Sequence, residues 1–233
     1  MSLGGRERHS AYLSAEGRRT LGQLLRQSGL ALDTIYGPRT DQPEAVATLL
    51  AVVQAAELSA PVVVVHGGPF GLGADELPAR VDALMRTCEA IAPALAQAGV
   101  VFALENVLPG PATDLIRQAL PRLDPERFGF CYDSAHDQIG GPRPFKLLAE
   151  LRDRVAAVHL SDRIRDFVDH VIPGEGFIDW DRLTEELRMS RFAGPLLLEV
   201  MVTHSAEQDA RRFLRLAHAR GCDLRRRVFG EVP

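Results

Sequence analysis

The chain has 233 residues, a length at which α/β barrels and doubly wound sheets form one domain around a substantial core. Its 46% hydrophobic and 25% charged residues are the balance of an ordinary soluble protein, and no apolar run approaches the roughly 20 residues of a membrane span. A formal net charge of −4 argues against gripping a phosphate backbone, and three scattered cysteines, Cys88, Cys131 and Cys222, argue against a disulfide framework or a thiolate zinc site.

Met1 to Ser10 is polar, with Arg6, Arg8 and His9 and no apolar stretch behind them. No secretory signal is therefore expected, and the cytoplasm is the default compartment. Residues 1–29 read as a lead and a helix around Glu16 to Gln27; residues 30–233 read as the rest of a single α/β domain. There, short β-branched runs alternate with amphipathic segments, the signature of βα units and a parallel sheet. Leu30 to Tyr36 predicts a strand stopped by Gly37 and Pro38, and Pro43 to Leu58 a helix. Pro61 to His66 holds four consecutive valines, as in a strand buried on both faces, and breaks at Gly67, Gly68 and Pro69.

A long helix follows, with Val81, Leu84, Met85, Cys88, Ile91 and Leu95 on one stripe and Gly99 as its stop. Val100 to Glu105 predicts the third strand, Thr113 an N-cap for a helix to Leu120, and Phe128 to Tyr132 the fourth strand. After a helix from Pro144 to Leu151, Val155 to Leu160 predicts the fifth. Ser161 to Ile178 is a connection long enough to suggest function. Trp180 to Met189 reads as a helix, Pro195 to Val200 as the sixth strand and Glu207 to Arg220 as the closing helix. Arg225, Arg226 and Arg227 read as a solvated terminus.

Polar residues fall at the strand ends: His66, Glu105, Asp133, His159 and Glu199. In a parallel α/β protein those ends share the face that carries an active site. Each has a plainer reading. Glu105 and Glu199 could form ion pairs or helix caps, Asp133 could cap the next segment, and His159 could be a satisfied core histidine. The shared face favours ligation for all four, because a carboxylate ending a buried strand is costly unless paired or metal-bound. Two Glu, one Asp and one imidazole make an oxygen-rich set for a single divalent ion, Mn²⁺ foremost, with Mg²⁺, Co²⁺ and Zn²⁺ as alternatives. Such an ion would polarise a carbonyl while Glu105 and Glu199 move a proton at the neighbouring carbon.

Leu-Glu-Asn at 104–106, Tyr-Asp-Ser-Ala-His at 132–136, Val-His-Leu-Ser-Asp at 158–162, Pro-Gly-Glu-Gly-Phe-Ile-Asp-Trp at 173–180 and Leu-Leu-Glu-Val at 197–200 carry a resemblance. In this order they resemble the motifs of the xylose isomerase-like superfamily, whose fold is a (β/α) TIM barrel. Its members include sugar epimerases, hydroxypyruvate isomerases, inosose dehydratases and endonuclease IV-type repair enzymes. The resemblance implies metal ligation by Glu105, Asp133, His159 and Glu199, with Glu105 and Glu199 as the acid/base pair. It places His136 and His170 against substrate or further metals, and His66 and Tyr36 are expected at the substrate pocket.

Two departures accompany it: Tyr36 stands where the family usually has His, and Val168 replaces an acid two residues before His170. Both fall on the second and third metals of the repair enzymes, so a nuclease is disfavoured. The family's first two strands have no clear counterpart in residues 1–29, so the barrel is expected to be incomplete at its N-terminus, to start upstream, or to be covered by a partner chain.

The segment from His66 to Gly73 matches neither dinucleotide nor Walker glycine patterns and reads as a rim loop. Pro173 to Gly176 reads as a tight turn, Trp180 as a helix anchor, and His9, His204 and His218 as surface residues. The resulting expectation is a metal-dependent sugar isomerase or epimerase. A dehydratase of the inosose or dehydroshikimate type is the nearest alternative, and a non-catalytic sugar- or metal-binding barrel is the alternative from another class. The expected partners are a small sugar or polyol and further copies of the chain, with no nucleic acid and no membrane.

Overall fold

A computed structural model describes residues 2–3, 14–37 and 45–230. The polar lead with Arg6, Arg8 and His9, the turn at Pro38 and the helix start at Pro43 lie outside them. The chain forms two compact units, Met1–Phe130 and Cys131–Pro233. Among the described residues no helix is long and apolar enough to cross a membrane.

In the first unit, β1 (Ser2–Leu3), α1 (Ala15–Gln27), β2 (Thr34–Tyr36), α2 (Ala45–Leu58), β3 (Val62–His66), α3 (Leu77–Ala98), β4 (Val101–Glu105) and α4 (Pro111–Ala119) alternate strand with helix. The strands pair in chain order and all in parallel, with Ser2 opposite Thr34, Tyr36 opposite Val64 and His66 opposite Glu105. Val63, Val64 and Val65 are wholly buried, as expected of a strand covered on both faces. On α3, Val81, Leu84, Cys88, Ile91 and Leu95 of the predicted stripe are buried and Met85 is half-buried. Gly99 ends that helix in the left-handed region at φ 65°, donating to the Leu95 carbonyl.

Three local predictions change in this unit. The short strand Ser2–Leu3 lies where the sequence shows only a polar lead, and the strand predicted from Leu30 contracts to Thr34–Tyr36. Thr113 is not the cap of α4. The helix begins with Gly110 at the N-cap and Pro111 behind it, and the Thr113 hydroxyl donates instead to the Leu108 carbonyl at 2.7 Å. A proline at the first helical position, where the amide has no partner to lose, was the better start signal.

Strand β5 (Phe128–Asp133) carries the chain into the second unit, followed by α5 (Ser134–Asp137), α6 (Lys146–Leu151) and β6 (Val155–Leu160). The long connection is not structureless: β7 (Asp162–Arg165) and β8 (Val168–Val171) form an antiparallel hairpin with register irregularities. Helix α7 (Trp180–Arg188), strand β9 (Leu197–Leu198) and helix α8 (Ala210–Phe229) complete the unit. Only two residues of the sixth predicted strand pair regularly, His159 lying opposite Leu197. The final helix runs nine residues past the predicted end at Arg220, to Phe229. Arg225 to Arg227 therefore belong to a helix, and Arg227 forms an ion pair with Asp181 on α7. Phe213 and Ala217 of α8 pack with Ile172 against Leu198, Val200 and Val202.

Candidate metal and substrate site

In the first unit the site residues stand at the C-terminal ends of adjacent parallel strands. Glu105 ends β4 and is completely buried. Its Oε2 accepts a hydrogen bond from the Tyr36 hydroxyl at 2.7 Å and lies 3.7 Å from His66 Nε2. The Tyr36 and His66 rings meet edge to face, their centroids 6.0 Å apart, and His66 meets Phe70 of the rim loop in the same way at 5.6 Å. A carboxylate this deeply buried is retained only where hydrogen bonds or a cation hold its charge.

In the second unit, Asp133 takes the capping role weighed for it. Its Oδ1 accepts the His136 amide at 2.7 Å and so caps α5, while Oδ2 lies 3.6 Å from His136 Nδ1. His159, buried at the end of β6, places Nδ1 3.2 Å from Glu199 Oε2. The Glu199 amide continues the pairing beyond β9 by donating to the Leu160 carbonyl at 3.1 Å. Asp133, His159 and Glu199 each present a ligand atom, all within 4.8 Å of one another. Glu199 Oε2 is buried and makes no hydrogen bond among the described residues. A buried carboxylate oxygen in that condition, beside a second carboxylate and an imidazole, fits a divalent cation.

Asp133, His136 and His170 form another group within the same span, and the two imidazoles meet edge to face at 5.9 Å. His170 adopts a left-handed backbone at φ 57°, a costly conformation for a residue with a Cβ. Several contacts hold it there. Its carbonyl accepts the Met201 amide at 2.6 Å, and its Nδ1 lies 3.1 Å from Asp169 Oδ1. Asp169 Oδ2 accepts from Arg163 Nη2 at 2.6 Å, and the nearly inaccessible Arg163 is itself fixed by Nε donating to the Ala135 carbonyl at 2.9 Å.

Contact with His170 holds the Asp169 carboxyl down at about 2; partial burial opposes this, and the charges of His170, Arg163 and His136 reinforce it. For His170, burial alone would depress the imidazole, but Asp169 together with the charges of Asp133 and Glu199 outweighs it and raises the pKa.

Sequence reading missed the supports of this arrangement. Asp162 is wholly buried and accepts four donors: the Arg163 amide, the Gly174 amide, the Ile178 amide and Trp180 Nε1. That single carboxylate folds the long connection back on itself and makes Trp180 an anchor, as expected. Gly176 is obligatory at this fold, since a Cβ there would stand 2.2 Å from the Arg163 carbonyl oxygen. His204, expected on the surface, places Nδ1 2.7 Å from the Asp169 carbonyl oxygen. The local signs of these roles were the place of Asp162 in the Val-His-Leu-Ser-Asp motif and the crowding of charged residues between Asp162 and Asp169 in a stretch otherwise read as loop.

The sequence profile of the xylose isomerase-like TIM barrel matches residues 3–217, nearly the whole chain. The chain belongs to that family. A curated relative, the uncharacterized protein y4fM of Sinorhizobium fredii, is 26% identical over 141 residues. The match takes in 59% of this chain and 45% of y4fM, so it spans less than half of the relative's length.

Among solved structures, a D-tagatose 3-epimerase-like protein is similar with a TM-score of 0.78 at 18% identity, covering 97% of this chain and 88% of that one. D-psicose 3-epimerase in the presence of D-fructose gives 0.73 at 13%, over 99% and 89%. The IOLI protein with a bound zinc atom gives 0.72 at 16%, also over 99% and 89%. At these identities the likeness is one of fold.

Proposed function

We propose that the protein is a metal-dependent sugar isomerase or epimerase that moves a proton at the carbon beside a carbonyl of a small ketose or polyol-derived substrate. The observation that carries the reading is the convergence of Asp133, His159 and Glu199, with Glu199 Oε2 buried and lacking a hydrogen bond. Glu105 is proposed as the fourth ligand on the strength of its Leu-Glu-Asn motif at the end of β4. The oxygen-rich donor set suits Mn²⁺ best, with Mg²⁺, Co²⁺ and Zn²⁺ also accommodated. The similar solved structures include two sugar epimerases or epimerase-like proteins and a protein with a bound zinc atom, which accords with this reading.

The ion would supply Lewis acidity to the substrate carbonyl oxygen. Glu199, whose side chain is one-third exposed, takes the proton from the neighbouring carbon into its carboxylate. Glu105, recharged with a proton from solvent, would return it to the opposite face and invert that carbon while Glu199 gives up its proton to solvent, completing an epimerisation; return to the former carbonyl carbon, with the hydroxyl proton of the reacting carbon passing to the former carbonyl oxygen, would complete an isomerisation. His170, held by Asp169 and kept readily protonated, orients a substrate hydroxyl, with His136 beside it. His66 and Tyr36, in contact with Glu105, would face the substrate there.

Metal content by elemental mass spectrometry, on the wild-type chain and an Asp133→Ala/His159→Ala double variant, tests the site. About one divalent ion per chain, lost in the variant, is expected. Ketohexoses incubated with the Mn²⁺-loaded protein in deuterium oxide should then acquire deuterium beside the carbonyl by NMR. Well-folded protein that takes up no ion after reconstitution would remove the proposal, and an unsaturated product would move it to a dehydratase.

A further inference from the structure

The first unit contains a contact that neither the metal set nor the proton transfer explains. Tyr36 is the last residue of β2, where the Gly37 amide donates to the Val64 carbonyl at 2.8 Å and keeps the strand paired beyond the tyrosine. The backbone is thus fixed on both sides of it. From that position the phenol reaches Glu105, 69 residues away in sequence, and donates to Oε2 at 2.7 Å. His66, opposite Glu105 in the strand register, presents Nε2 at 3.7 Å to the same oxygen. The ring of His66 stands perpendicular to both Tyr36 and Phe70.

A phenol differs from an imidazole in what it can do here. At neutral pH its hydroxyl donates to a carboxylate, whereas a neutral imidazole nitrogen can bind a cation instead. A donor aimed at one oxygen selects one rotation of the carboxylate about its last bond, a torsion that is otherwise broad. Hydrogen bonds of this kind, one step removed from a ligand, fix the ligand's orientation and commonly change metal affinity 10- to 100-fold when removed.

We propose that Tyr36 is the positioning residue of Glu105, fixing the carboxylate by its hydroxyl in the orientation used for the ion and for proton return. His66, backed edge-on by Phe70, stands 3.7 Å from the same oxygen and limits its movement. The inference rests on the proposed function, and it makes the departure at residue 36 a working part of the site.

Two measurements on the full chain test it. Calorimetric titration with Mn²⁺ should show Tyr36→Phe binding about 10-fold more weakly than wild type. A double-mutant cycle in the metal-free protein, combining Tyr36→Phe with the near-isosteric Glu105→Gln, should show a non-additive shift of the urea midpoint, because the hydroxyl acts through the carboxylate. A merely structural tyrosine would give the same shift in both backgrounds, and that outcome, or unchanged Mn²⁺ affinity in Tyr36→Phe, would overturn the inference. If the wild-type chain binds none of Mn²⁺, Co²⁺ and Zn²⁺, the proposed function falls, and the cycle alone decides whether Tyr36 positions Glu105: non-additivity sustains it and additivity rejects it.

Discussion

The two units hold their carboxylates by opposite means. In the first, Glu105 ends a regular parallel strand and is steadied by uncharged or weakly basic rings, Tyr36 and His66, from neighbouring strands of the same ladder. In the second, the polar side chains are steadied by charge and by irregular backbone: the Arg163–Asp169 pair, the left-handed His170 and the four donors on Asp162. A regular ladder needs little beyond its own hydrogen bonds to aim a side chain, whereas a hairpin with shifted register needs buried polar groups to fix it. Substitutions among the charged supports of the second unit, Asp162, Arg163 and Asp169, should therefore disturb stability and site together.

The largest effect is expected at Glu199. Glu199→Gln keeps the shape of a side chain that is one-third exposed, so the fold should survive and the thermal midpoint should change little. Loss of a positioned base lowers turnover by on the order of 10³-fold, to be read as loss of deuterium incorporation. Retained turnover would take Glu199 out of the chemistry while leaving it free to be a ligand.

Asp162 should show the coupling of stability and site most plainly. Asp162→Ala leaves the amides of Arg163, Gly174 and Ile178 and the Trp180 indole without their acceptor. With each stranded donor worth about 1 kcal/mol or more, a loss on the order of 4 kcal/mol is expected in urea unfolding. A loss below about 1 kcal/mol would mean that water replaces the carboxylate and that the connection is not organised by it.

How much of this was legible depended on which force sets each element. The four valines of β3 and the apolar stripe of α3 announce burial directly, because hydrophobic pattern and structure there have the same cause. The placing of Glu105, Asp133, His159 and Glu199 at strand ends was legible because each follows such an apolar run. The β7–β8 hairpin was not. Its residues include Asp162, Arg163, Arg165 and Asp169, with no alternation of apolar and polar, and its pairing comes from backbone bonds and buried charge. The roles of Asp162, Arg163 and Asp169 emerge only once the chain has brought their partners together. Strand β9 was over-read for a related reason: Leu196 to Val200 is uniformly apolar apart from Glu199, but only Leu197–Leu198 pairs regularly, and Pro195 has no amide to offer a ladder.

The Asp169–His170 contact gives a pH test of the second unit. Asp169 is lowered from 3.8 to about 2, so its contribution is complete above the unfolded value and is lost as pH falls through the folded one. His170 is raised from 6.5, so its contribution is complete below that value and is lost as pH rises through its folded pKa. The advantage of wild type over Asp169→Asn should therefore be greatest between about pH 4 and pH 6.5 and shrink on both sides. Urea midpoints of the two chains across pH 2 to 9 would show it, and a difference independent of pH would assign Asp169 to packing alone.

The smallest effect is expected at a cap, where position within the unit should matter less than chemistry. Asp209 precedes α8 with an extended backbone and accepts the Arg212 amide at 2.9 Å, and Ser14 does the same for α1 by accepting the Gly17 amide at 3.0 Å. Asp209→Ala and Ser14→Ala should each cost about 1 kcal/mol, with Mn²⁺ affinity unchanged in both. Asp209 adds a negative charge to the helix N-terminus, so its loss should be the greater of the two at low salt and should approach the Ser14 value as salt screens the dipole. A change in Mn²⁺ affinity in Asp209→Ala would show that α8, which packs on Leu198 and Val200 around Glu199, transmits its stability to the site.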